Sequence, residues 1–195
     1  MRLAIEFVDA SARSNDGSAG KTSVLGWQVM AMESARRAGV KTLNITFDAA
    51  RCAGWIRSRR RCVGRYAYQR GQAASPAMTA EAMFVQQLLG RGAGEARMED
   101  SVRFILEARP ALAGRAPTHY WYYATLAMFQ QQGEAWREWN DARCRSCCCT
   151  RRRRAIWRGA GIRRIRWSKL CGRVHQTAVC TLSLEVYYRY KTRAE

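Results

Sequence analysis

Three prolines in 195 residues and two histidines already narrow what this chain can be. So little proline excludes a fold made mostly of tight turns and favours uninterrupted helices. No apolar run approaches the ~20 residues needed to cross a bilayer, so no transmembrane segment is expected. The opening residues MRLAIEFVDASARSND lack the apolar centre of a secretory leader and give no support for export. Two histidines without a supporting carboxylate motif make no Ser-His-Asp triad, and no G-x-S-x-G elbow occurs. Gly90-Arg91-Gly92-Ala93-Gly94 follows a helical pattern and lacks the Lys-Ser/Thr pair of a phosphate loop. What the chain does have is a 48% share of hydrophobic residues, enough for a core, and a formal net charge of +19.

A charge of this size ordinarily points to nucleic acid or an anionic surface, but here it is not spread along the chain. Residues 51–63 (RCAGWIRSRRRCV) and 142–171 (ARCRSCCCTRRRRAIWRGAGIRRIRWSKLC) hold five and eleven of the 34 basic residues and no acidic one. They also hold seven of the eight cysteines, all but Cys180. The remaining sequence carries 18 basic residues against 15 acidic ones. Three readings compete for these stretches. Cys144 and Cys147 have C-x-x-C spacing, and Cys171 with His175 completes a possible tetrahedral zinc set. Arg151 to Arg154, Arg163, Arg164 and Arg166, interleaved with Trp157 and Trp167, make an arm suited to phosphate contact and base stacking. A solvated basic loop is the plainer form of that reading. The third is translation out of frame. Leucine codons CTG-CTG-CTG read one base along give Cys147-Cys148-Cys149, and permitted codons for 155–163 spell GDLARSWDP in the alternate frame. The same frame turns residues 52–58 into LRWLDSV, which continues a helix.

Elsewhere the pattern is helical. Residues 22–38 place Val24, Leu25, Val29 and Met32 on one face, with Gly39 as the stop. Residues 76–90 carry Met78, Ala82, Val85 and Leu89, opened by Ser75 and Pro76 as N-cap and N1 and closed by Gly90. Met98, Val102 and Ile105 mark a helix over 98–108. Further helices are expected over 2–12, from about Tyr120 to Gln131, from Glu134 through Trp136 and Trp139, and over 176–190. Strands find little support, and the fold class is all-α. The helices also repeat. A small-residue start before an apolar run occurs at Thr22–Gly26, Thr79–Met83, Ala124–Met128 and Thr177–Thr181. The intervals, 57, 45 and 53 residues, suit one helical hairpin per repeat, and small residues let neighbouring inner helices approach closely.

GRYAYQ (64–69), SPAMTAEAMFVQQLLG (75–90), YWYYATLAMFQQQGEAWREWN (120–140) and, apart from His175 and Val179, GRV-QTA-CTLSLEVYYRY (172–190) resemble a group of bacterial proteins related to squalene cyclases and protein prenyltransferases, which more often have an aromatic where His175 stands. TSVLGWQVMAMESARRAG (22–39) resembles the preceding repeat of that group. The resemblance implies an α/α toroid, in which inner and outer helices enclose a central cavity. It makes the whole of 1–195 one partial toroid domain of stacked hairpins, with a disordered or poorly packed basic segment near 142–171. Four inner helices, where a closed ring needs about six, imply a missing N-terminal part. The group's D-G-x-W turn survives only as Asn15-Asp16-Gly17-Ser18, and its D-G-D-L-x-x-S-W-D-P segment is nearly what the alternate frame of 154–163 spells.

Cyclases of this kind protonate an alkene with D-x-D-D, where neighbouring carboxylates keep one proton available. That cluster is missing, and no spacing selects Cys180, His175 and Asp141 as a catalytic zinc set. The expectation is therefore a toroid domain that is non-catalytic in this form, with an intact relative binding an isoprenoid or other lipid, or a protein, in the toroid cavity. Candidate cavity-lining residues are Glu81, Tyr120, Trp121, Tyr122, Tyr123, His175 and Tyr187. The aromatic residues suit either a cavity wall, with π faces toward a cation, or plain core packing with hydroxyls at the rim. Glu81 suits either a cavity-facing acid or an exposed or capping one. The alternative function is a basic nucleic-acid-binding protein, with or without zinc, using 142–175.

Overall fold

The computed structural model describes residues 22–40, 64–69, 71–110, 118–152, 174–175 and 178–189, with backbone alone at 25, 118, 147–152 and 189. The expected helix over 2–12, the stretch 51–63 and residues 153–171 lie outside the described residues. The described chain is helical: α1 Thr22–Arg37, α2 Pro76–Leu88, α3 Ala96–Glu107, α4 Thr118–Gln131, α5 Gly133–Arg152 and the single turn α6 Val186–Arg189, preceded by helical residues 178–184. No strand occurs among the described residues, only an isolated antiparallel bridge between Ala67 and Ala74. The all-α class holds. The chain divides into two compact units, Met1–Phe104 and Ile105–Glu195.

In the first unit α1 packs on α2. Ser75 caps α2 by accepting from the Met78 N–H at 3.3 Å, Pro76 follows at its start, and Gly90 takes φ 101° just beyond its end. Both termini are therefore set by the signals the sequence carries. Val29, Tyr66, Ala82, Val85 and Leu89 form a buried cluster with Met32 at its edge. Each large apolar side chain buried this way contributes about 1.5–3 kcal/mol.

The buried face of α1 differs from the expected one. Thr22, Gly26, Val29 and Glu33 are buried, whereas Val24 is exposed and the Leu25 side chain lies outside the described residues. At about 100° per residue, positions 24 and 29 stand about 140° apart and cannot share a face. The segment 64–69 ties the unit together. The Thr22 hydroxyl donates to the Ala67 carbonyl at 2.6 Å, and the Tyr66 N–H donates to the Thr79 hydroxyl at 3.0 Å. Gly64 lies on α3, where a Cβ would stand 2.8 Å from the Ser101 nitrogen, and Ser101 donates to the Gly64 carbonyl at 2.6 Å. Only glycine fits that approach.

In the second unit α4 and α5 form a hairpin. Gln132 and Gly133 both adopt left-handed φ, 59° and 67°. The chain reverses there, because Phe129 meets Trp136 at 5.3 Å while Tyr120, further back on α4, meets Trp139 at 5.7 Å, further on along α5. Thr125 fastens the hairpin's middle. Its hydroxyl donates to the Trp121 carbonyl at 2.6 Å and accepts from the Trp139 indole N–H at 3.2 Å. The expected helix from Glu134 runs on through the change of composition at Ala142, with Trp139, Ala142, Arg143 and Ser146 buried as one stripe.

Candidate functional site

Two polar features sit inside apolar surroundings, one in each unit. The first is Glu81. All ten α2 residues from Met78 to Gln87 are buried, so this helix has no solvated face in its middle on which an acid could rest. Glu81 is 0% exposed, and neither carboxyl oxygen has a hydrogen-bond partner among the described residues. It occupies the space that Gly26 leaves open on α1, where an added Cβ would lie 2.9 Å from its Cγ and Cδ. Burial raises its pKa from the ordinary 4.5 to about 8, so the side chain is held as a neutral acid at pH 7.

The second feature joins α5 to the C-terminal helical residues. Phe129, Trp136 and Tyr187 stack edge to face, with centroids 5.3 to 6.4 Å apart. Arg143, against Tyr187, is 3% exposed. It donates to the Tyr187 oxygen at 2.7 Å, to Asn140 Oδ1 at 3.1 Å and to the Ser183 carbonyl at 3.2 Å. Tyr187 in turn donates to Asn140 Oδ1 at 2.5 Å. The guanidinium lies 5.6 Å from the Tyr187 ring centroid. Among the described residues it has no carboxylate partner, and its Nε is buried without an acceptor. Neutral acceptors and a π face thus carry a buried cation, which is an arrangement of high desolvation cost unless every contact is kept.

The sequence-predicted residues fall into place unevenly. Glu81 lies in the first unit and the other six in the second. Tyr120 is buried and donates to the Ile105 and Ala108 carbonyls at 3.0 and 3.2 Å, with burial pushing its hydroxyl pKa upward. Tyr122 and Tyr123 are buried with ring centroids 5.0 Å apart, and Trp121 is half-buried. Tyr187 is 44% exposed, and His175 is exposed. His119, which the sequence did not single out, packs edge-on to Tyr123 at 4.9 Å. Its pKa is lowered first by desolvation and then by repulsion from His175. Gly26, Asn140 and Arg143 were missed as well. A signal existed for Gly26 alone, which ends the small-residue start of its repeat.

Of the proposed zinc ligands, Cys144 and His175 are exposed, while the Cys147 side chain and all of Cys171 lie outside the described residues. Among the described residues no three His, Cys, Asp or Glu side chains come together as a metal group, and no helix is long and apolar enough to cross a membrane. Compared with family models, curated proteins and solved structures, the chain matches none.

Proposed function

We propose that this chain is a non-catalytic helical-repeat binding domain, built on the α/α-toroid plan of squalene cyclases and protein prenyltransferases, that takes an isoprenoid along its inner helices. The observation that carries the reading is a pairing of repeats. The helix that starts at Thr22–Gly26 packs on the helix containing Thr79–Met83, and the helix containing Ala124–Met128 packs on the C-terminal turn that follows Thr177–Thr181. Successive inner helices of a toroid meet in this way, and the hairpin partner α5 packs on α4 as an outer helix would. The lack of D-x-D-D supports binding without alkene protonation.

Equilibrium dialysis of tritiated farnesol against the full chain tests this. Saturable uptake is expected, weakened by Tyr122→Phe, which keeps the ring and removes the hydroxyl. A folded chain with no uptake overturns the proposal. The nucleic-acid reading draws on one observation, the basic stretch that begins at 142 with Arg145 exposed on α5. It predicts binding to generic DNA that weakens steeply with salt and disappears on deletion of 142–171.

A further inference from the structure

Glu81 is placed at the α1–α2 contact in a way that makes the contact itself sensitive to protons. Its carboxyl fills the space opposite Gly26, is 0% exposed, and finds neither a cation nor a hydrogen-bond donor among the described residues. The charged groups on the elements packed there are engaged elsewhere. On α1, Glu33 receives Arg36 at 2.7 Å and Arg37 at 2.8 Å, about two turns beyond Gly26. On the 64–69 segment, Arg65 stands 3.8 Å from Asp100 and 4.5 Å from the Phe104 ring centroid. α2 has no other charged residue. Among the described residues no neighbouring charge therefore compensates an ionised Glu81, whereas the neutral acid needs none.

We propose that closing α1 onto α2 takes up one proton on Glu81, so that the contact is tight in acid and loosens as the solution becomes basic. The sign follows from linkage. The opened helices carry Glu81 in water, where it ionises near its ordinary 4.5, and the closed pair holds its proton to about 8. Between those values the closed state binds more protons, and its advantage falls as pH rises. Above about 8 both states are ionised and the pH dependence ends. The limit for one proton is about a tenfold rise in the opening constant per pH unit. This is a property of the helix pair and does not depend on isoprenoid binding.

Hydrogen exchange of the full chain, read on peptides covering 22–37 and 76–88 and corrected for intrinsic rates, tests it against Glu81→Gln. The amide keeps the shape and cannot ionise. The opening constant of the wild type relative to the variant is expected to rise about 100-fold or more between roughly pH 5 and pH 8. An equal pH dependence in both proteins overturns the proposal. Should Glu81→Gln fail to fold, the infrared spectrum of the wild type decides. A protonated-carboxyl band at pH 7, where ordinary carboxylates are ionised, is expected, and a folded wild type without it overturns the proposal.

Discussion

Gly26→Ala puts the α1–α2 contact under its most direct load. In an isolated helix the change favours folding, because alanine exceeds glycine in helix propensity by about 1 kcal/mol. In this chain the new methyl would stand 2.9 Å from Glu81 Cγ and Cδ, and closer still to Oε1. Glu81 is fully buried on a helix whose middle ten residues are all buried, so it has no solvent side to retreat to. Overpacking of this kind costs about 1–3 kcal/mol. The two effects oppose each other, and the clash wins by about 1 kcal/mol. Glu81→Ala removes the clashing atoms, and in that background Gly26→Ala should stabilise by about 1 kcal/mol from propensity alone. The sign reverses between backgrounds, with a coupling of about 2 kcal/mol. Urea unfolding of the full chain, followed by far-UV circular dichroism, measures all four corners of the cycle, provided the slope stays constant. If Gly26→Ala stabilises equally in both backgrounds, the steric argument for the contact is refuted.

Gln132 holds φ 59° at the α4–α5 turn, a conformation that costs a non-glycine residue about 1 kcal/mol. Gln132→Gly should stabilise by about 0.5 kcal/mol after loss of its side-chain bond to the Phe129 carbonyl, and a lowered thermal midpoint would contradict this. Tyr187→Phe removes the hydroxyl shared by Arg143 and Asn140 and should cost about 1 kcal/mol, with Asn140→Ala non-additive to it in the same denaturation assay.

Periodicity and end signals made the helices legible. Ser75, Pro76 and Gly90 bound α2, and its apolar spacing names residues that are buried. The face of α1 was misjudged because hydrophobicity was weighed above size. Val24 is large and apolar, but the crossing point needs Gly26, since the partner helix brings a glutamate there. Glu81 stood out from its sequence neighbours, yet whether it was capping, exposed or buried depends on what α1 presents across the contact. The Asn140–Arg143–Tyr187 group was illegible for the same reason. Its members lie up to 47 residues apart, and nothing local in any of them announces the others.

Arg143 also bears on where the composition changes. Ala142 opens the acid-free stretch, but the buried stripe Trp139, Ala142, Arg143, Ser146 keeps the i, i+3, i+4, i+7 spacing across that point. Arg143 fits its place, with three acceptors drawn from α5 and the C-terminal helical residues. A residue read from a wrong frame has no reason to meet a distant tyrosine and a distant carbonyl at hydrogen-bond distance. If a frame change exists here, its start belongs after Ser146, near the Cys147-Cys148-Cys149 run, a sequence that three CTG leucine codons read one base along would give. Resequencing the DNA that encodes 140–180 checks this. A single-base error before codon 143 would remove Arg143 and defeat the argument, whereas one between 147 and 150 would leave the Asn140–Arg143–Tyr187 contacts standing and restore an apolar continuation of α5.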